Sequence, residues 1–257
     1  MSTKTALITG GTSGIGLGIA KAFAEAGYNL MLNGLEEDGA EIAKKIAKKH
    51  DITAHFSNAN LLEPDSIQAL AHEALELFDS IQVLVYSAGM QHVDPLEEFP
   101  SQKWEMIIGL NLSGAFYLTK ALWPSMQEQK FGRIINIASA HGLRASPFKS
   151  AYVASKHGIV GLTKVLALEG AEHNITANSI CPGYVRTPLV EGQIADQAEA
   201  HDMSEEEVIE KVILEEHAKK EFVTIDLIAE MALFLASEKA SSLTGAALPL
   251  DAGWTSR

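Results

Sequence analysis

Apolar and polar positions follow two alternating rhythms along the chain. Short runs rich in β-branched and apolar residues predict strands at Thr5–Thr9, Asn29–Leu32, Thr53–Phe56, Ile81–Tyr86, Arg133–Ala138, Thr176–Ile180 and Ala246–Leu250. Between them, apolar residues recur at helical spacing over Ile15–Ala26, Glu36–Lys49, Pro64–Leu77, Ser101–Gln129, Ala151–Glu169 and Asp226–Ala236. Gly27 ends the first helix, and Pro64 stands in the first turn of the third. The Ile81–Tyr86 run is nearly continuous in apolar residues, as in a parallel strand covered on both faces. Strands alternating with helices predict an α/β fold: a doubly wound parallel sheet of about seven strands, with helices on both faces. Residues 187–224 break the rhythm, an insertion of about 38 residues between a strand and the next helix. Its Ser204-Glu205-Glu206-Glu207 predicts a capping box opening an acidic helix. No repeat or linker divides the chain, so residues 1–257 are expected to form a single domain with 187–224 as a lid.

Composition narrows the function classes. With 257 residues, of which 47% are hydrophobic, the chain can bury a large core unaided. Twenty basic against 33 acidic residues leave a net charge of −13, which argues against nucleic-acid partners and against a polybasic membrane contact. No apolar run approaches the ~20 residues of a membrane span. Strand-like sequence begins by Thr5, leaving no room for a signal peptide, so a cytoplasmic protein is expected. A single cysteine excludes an internal disulfide and a Cys-rich zinc site, and the nine histidines form no clustered metal motif.

Candidate chemistry begins after the first strand. Thr9-Gly10-Gly11-Thr12-Ser13-Gly14-Ile15-Gly16 joins it to the first helix. Glycine permits a tight turn and a close ligand approach, and the helix N-terminus favours a pyrophosphate. A strand–glycine loop–helix unit of this kind predicts a Rossmann-type nucleotide site. The second strand ends at Leu32-Asn33-Gly34-Leu35 with no cation for a 2′-phosphate, and Glu36 and Glu37 follow. NAD is therefore expected over NADP, with Asn33 bonding the ribose hydroxyls.

Tyr152 and Lys156 stand four apart on one helix face, where an ammonium favours the phenolate over the phenol. Ser139 follows the Arg133–Ala138 strand, at the end of the sheet where ligands gather, and is placed to bond a substrate oxygen. Asn111 is a polar residue in an apolar stretch, a candidate to hold a water beside Lys156.

The glycine loop, Ser139, Tyr152-Val153-Ala154-Ser155-Lys156, Pro182-Gly183 and Thr187 together resemble the short-chain dehydrogenase/reductase family, over nearly the whole chain. The resemblance implies a catalytic set of Ser139, Tyr152, Lys156 and Asn111. It implies cofactor contacts at Gly10, Thr12, Ser13, Gly14, Ile15, Gly16, Asn33, Asn60, Leu61, Ser87, Ala88 and Gly89. Tyr152, Lys156, Pro182, Gly183, Val185 and Thr187 complete that set, and a homotetramer with 222 symmetry is implied too.

Gln91-His92-Val93, Ala138-Ser139-Ala140-His141-Gly142-Leu143, Lys149-Ser150-Ala151-Tyr152, residues 187–194 and Gly253-Trp254 resemble one branch of that family, whose substrate is a four-carbon hydroxy acid. That implies a substrate site of Gln91, Ser139, His141, Lys149, Tyr152, Gln193 and Trp254. Gln91, His141, Lys149 and Gln193 would take the carboxylate, and Trp254 would close the pocket from a neighbouring subunit. Three departures stand out: Tyr86-Ser87 where the family has Asn-Asn, Asn60 where it often has Asp, and Tyr184 where this branch usually has tryptophan. Two rival readings remain open, a 3-oxoacyl thioester reductase and a catalytically silent nucleotide-binding interaction protein.

Overall fold

The computed structural model describes residues 4–201 and 203–256. Seven parallel strands run in the order β3-β2-β1-β4-β5-β6-β7. They are β1 Thr5–Thr9, β2 Asn29–Asn33, β3 Ala54–Ser57, β4 Val83–Tyr86, β5 Gly132–Ile137, β6 Ile175–Pro182 and β7 Ala247–Leu250. Helices α1 Gly14–Glu25, α2 Gly39–His50 and α9 Ile225–Ala236 cover one face, burying Phe23, Ile46 and Ile228 against Ile8, Leu30 and Val85. Helices α3 Pro64–Phe78, α5 Gly114–Gln129 and α6 Ser150–Gly170 cover the other, burying Leu70, Leu118 and Ile159 against Leu7, Leu84 and Ile134. Every residue of β1 and β4 is buried, which explains the unbroken apolar run of β4. The strand order reverses between β1 and β4, so the crevice beyond their carboxyl ends is the ligand position of such a sheet. No helix among the described residues is long and apolar enough to cross a membrane.

Two helical expectations change. The Ser101–Gln129 stretch is not one α-helix: α4 Ser101–Ile108 passes through a π-helical turn, Gly109–Ser113, into α5. A π turn adds a residue to the helix and re-aims its side chains, and here it carries the buried Asn111. The second helix starts at Gly39, not Glu36, because Glu36 turns back onto the glycine loop.

The insertion contains α7 Pro188–His201, the short α8 Glu205–Val208 and a second π turn, Ile209–Ile213. The expected capping box is present: Glu207 N–H bonds the Ser204 hydroxyl while the Glu207 carboxylate takes the Ser204 N–H. Val190, Ile194, Val208, Ile213 and Leu214 form a small hydrophobic cluster of its own.

Candidate active site

The glycine loop is shaped by backbone demands that only glycine meets. Gly10 and Gly14 have φ of +60° and +50°, and a Cβ on Gly16 would drive into the Gly10 carbonyl oxygen. Helix α1 begins with no side-chain cap, so its first N–H groups are left for a ligand. The Thr9 hydroxyl takes the N–H groups of Ser87 and Ala88 at 3.0 and 3.1 Å, fastening the loop's strand to the end of β4. This cradle fits a dinucleotide phosphate group.

At the end of β2 the Glu36 carboxylate accepts from the Thr12 hydroxyl and from the Leu35 N–H. Burial alone raises its pKa, but these bonds and one from Ser13 outweigh that and hold it below the usual range. The expected role of Asn33 is corrected. It is buried, and its amide nitrogen donates to the Ser57 and Ala59 carbonyls at 3.1 and 3.0 Å, bracing β2 against β3 instead of facing a ribose. The Asn60 side chain bonds Glu63 and the Leu62 N–H, and Leu61 packs in the core. Neither residue is among those lining the cavity beyond β5 and β6.

The proton-transfer group sits where β5 and α6 meet. The Ser139 hydroxyl accepts the His141 backbone N–H at 3.1 Å and also bonds Tyr152, an interaction that favours the phenolate. Lys156 donates to the Ile137 carbonyl at 2.8 Å, with its ammonium 5.5 Å from the Tyr152 ring centre. Burial, which strips water from both groups, pushes Tyr152 up to about 12 against the opposing Ser139 bond, and Lys156 down to about 8 against the opposing Cys181 interaction.

Asn111 is fully committed. It exchanges hydrogen bonds with the Met90 backbone, and its amide donates to the Ser155 hydroxyl at 3.1 Å. Ser155 donates in turn to the Tyr152 carbonyl at 2.8 Å. Asn111 thus braces the Tyr152 turn. Sequence reasoning missed Ser155, although it lies inside the quoted Tyr152–Lys156 motif.

Tyr86 is a departure with a structural answer. Its ring is buried and its hydroxyl donates to the Leu110 carbonyl at 2.6 Å, inside the π turn. The hydroxyl occupies the space that a Cβ on Gly114 would fill. Tyr86 therefore points into the core and supports the segment carrying Asn111, without narrowing the crevice.

All seven expected substrate residues line one cavity of about 140 Å³, shared with Ile15, Ser87, Gly89 and Lys156. Drug-sized ligands need roughly 300–1,000 Å³, so this cavity suits a small molecule. Pro182, Gly183, Val185 and Thr187 line it from the β6 side. Trp254 lines the cavity of its own chain: it is buried, 4.9 Å from His141 edge-on and stacked on Tyr184. The Lys149 ammonium donates to the Tyr184 hydroxyl at 3.1 Å. His141 contacts the Ser146 hydroxyl at 3.0 Å, and burial, with the Lys149 charge and His157 adding, pushes it down to about 3. It is a neutral polar wall of the cavity.

A family profile described as short chain dehydrogenase matches residues 4–198. The chain is 47% identical over 257 residues to a D-beta-hydroxybutyrate dehydrogenase of Rhizobium meliloti, covering 99% of this chain and 100% of that one. It is 44% identical to a D-beta-hydroxybutyrate dehydrogenase of Cupriavidus necator, covering 100% of both. The crystal structure of a phenylalanine-to-tryptophan variant of actinorhodin polyketide ketoreductase with NADPH superposes with a TM-score of 0.93 at 31% identity, covering 99% of this chain and 98% of that one. The chain belongs to the short-chain dehydrogenase family. It is an oxidoreductase that takes a nicotinamide cofactor and acts on a small molecule.

Proposed function

We propose that the chain is an NAD-dependent D-3-hydroxybutyrate dehydrogenase, interconverting (R)-3-hydroxybutyrate and acetoacetate. The observation that carries this reading is the convergence of Gln91, His141, Lys149 and Gln193 with Ser139 and Tyr152 on one small cavity. A cation with neutral donors at one end suits a carboxylate. The hydroxyls of Ser139 and Tyr152 at the other suit a reacting alcohol. The two relatives named above act, by their names, on this acid.

When bound, the nicotinamide supplies the hydride acceptor for oxidation or the hydride for reduction. Tyr152 takes the proton of the substrate hydroxyl during oxidation and returns it during reduction. Ser139 donates to the same oxygen and fixes its distance from Tyr152. Lys156 sets the charge next to the phenol, and Asn111 with Ser155 holds the Tyr152 turn. Val190 and Trp254 keep water from the cavity, and residues 187–224 act as the lid that carries Val190 and Gln193.

NAD in preference to NADP is supported by the Glu36 carboxylate at the end of β2, which repels a 2′-phosphate and accepts from a ribose hydroxyl. The homotetramer is supported by exposed Trp104 on α4, Phe116 and Tyr117 on α5, and Val165 and Leu168 on α6. A cytoplasmic location belongs to the same reading.

The test is NADH formation with (R)-3-hydroxybutyrate, its S enantiomer and NADP run in parallel. Turnover confined to the R acid and NAD supports the whole reading. Turnover only with NADPH and a 3-oxoacyl thioester transfers it to the reductase alternative. NAD binding without any turnover transfers it to the silent binder.

A further inference from the structure

His217 lies in the insertion, outside every motif of the sequence, and is fully buried. An imidazole so placed needs a partner on each ring nitrogen. Nε2 faces the Tyr184 backbone N–H at 3.3 Å, and Nδ1 faces the Glu221 carbonyl at 3.0 Å. The first partner only donates and the second only accepts, so the ring is neutral with its hydrogen on Nδ1. Burial pushes the pKa of His217 down in the same sense, against the Glu221 carbonyl and Asp251 and with Lys220.

The packing around the ring is equally specific. A Cβ on Gly183 would come within 2.8 Å of Nε2, so the ring needs glycine there. The ring lies 5.9 Å from Tyr184 and 5.7 Å from Trp254. Lys220 closes the His217 turn onto the Leu214 carbonyl at 2.9 Å. Tyr184, held from below by His217, is stacked on Trp254 at 5.7 Å with 7° between the planes. Its hydroxyl receives the Lys149 ammonium. His217 itself does not line the substrate cavity.

We propose that His217 is a positioning residue for acid recognition: it fixes the Tyr184 turn, and the Tyr184 hydroxyl then aims the Lys149 ammonium into the cavity. The proposal rests on the reading of Lys149 as the carboxylate anchor. It gives the insertion a second task besides covering the site, since the residue that sets the far end of the cavity is anchored from inside it.

The test is a set of variants assayed in the full chain with NAD and (R)-3-hydroxybutyrate. His217→Phe keeps a ring and loses both hydrogen bonds. It is expected to raise the KM for the acid about tenfold while kcat stays within about twofold. His217→Gln restores an acceptor towards the Tyr184 amide and is expected to recover most of the loss. Tyr184→Phe removes one hydroxyl without disturbing the stack, and is expected to raise KM to a similar extent. In a Lys149→Met background neither substitution adds more than about twofold, because the path ends at Lys149. Effects that add fully to Lys149→Met, or that fall on kcat instead of KM, overturn the proposal. Unchanged KM in Tyr184→Phe overturns it even where His217→Phe fails to fold. If Lys149→Met alone leaves KM unchanged, the carboxylate reading fails and this proposal fails with it. If Lys149→Met raises KM and the other two do not, only this proposal fails.

Discussion

The two sides of the crevice are built on different principles. On the glycine-loop side, position comes from backbone: β1 and β4 are buried at every residue, their register is fixed by the sheet, and Thr9 ties the loop to Ser87 and Ala88. On the insertion side, position comes from side chains: Lys149 on Tyr184, Tyr184 on His217, and both aromatic rings on Trp254. The insertion's hydrophobic cluster is small beside the two that flank the sheet. Rigid strands suit chemistry that tolerates little displacement, and side-chain latches suit recognition that differs among substrates. The comparison predicts that substitutions on the sheet side act on kcat or on cofactor choice, and those on the insertion side act on KM.

The largest expected effect is on the sheet side. Tyr152→Phe removes the one hydroxyl placed to exchange the substrate proton, and is expected to lower kcat by about 10³-fold or more. Its melting temperature stays near that of the parent, and NAD still binds. Residual turnover within about tenfold of the parent would move the proton-transfer role off Tyr152. Next comes Lys149→Met, which removes the cation from the far end of the cavity. It is expected to raise the KM for the acid about 30-fold with little change in kcat. A loss divided equally between kcat and KM would erase the distinction between the two sides.

Glu36→Gln sharpens the comparison, because it alters ligand choice from the sheet side. Removing the negative charge at the end of β2 is expected to reduce the ratio of kcat/KM for NAD over NADP by about tenfold. The ratio in parent and variant, measured at equal cofactor concentrations, checks this. An unchanged ratio assigns the preference to another group.

The sheet side is readable in the sequence because its determinants are local. Gly10, Gly14 and Gly16 are a backbone requirement written within one short loop, and the Tyr152–Lys156 spacing is one helical turn. Which of Asn33 and Glu36 turns towards the glycine loop is not legible in the sequence: they are three residues apart, and only the turn after β2 shows that Glu36 bends back to Thr12. The break in the Ser101–Gln129 helix is invisible there, since a π turn leaves no periodic signature and its support comes from Tyr86, 24 residues before Leu110. His217 carries no signal at all. It is one of nine histidines, and its partners Tyr184 and Trp254 approach it only through the tertiary fold.

The smallest expected effect concerns acid stability and bears on the point where the two sides meet. His141 follows the β5 strand end, yet faces Lys149 and Trp254 on the insertion side. Burial holds it down to about 3, against an ordinary value of 6.5. Above pH 6.5 the ring is neutral in both the folded and the unfolded chain, so it adds no pH dependence there. Below that value the unfolded chain binds a proton that the folded chain refuses, so folding loses stability as pH falls from 6.5 towards about 3. His141→Gln removes this linkage while keeping a polar side chain against Ser146. Thermal melts of parent and variant are expected to converge as pH falls through that window, with the parent's melting temperature dropping by a few degrees more, about what 1–2 kcal/mol produces in a domain of this size. Parallel melting curves for the two proteins across the window would show that folded His141 takes up a proton at its ordinary value, and would make it a second cation beside Lys149 below pH 6.5 only.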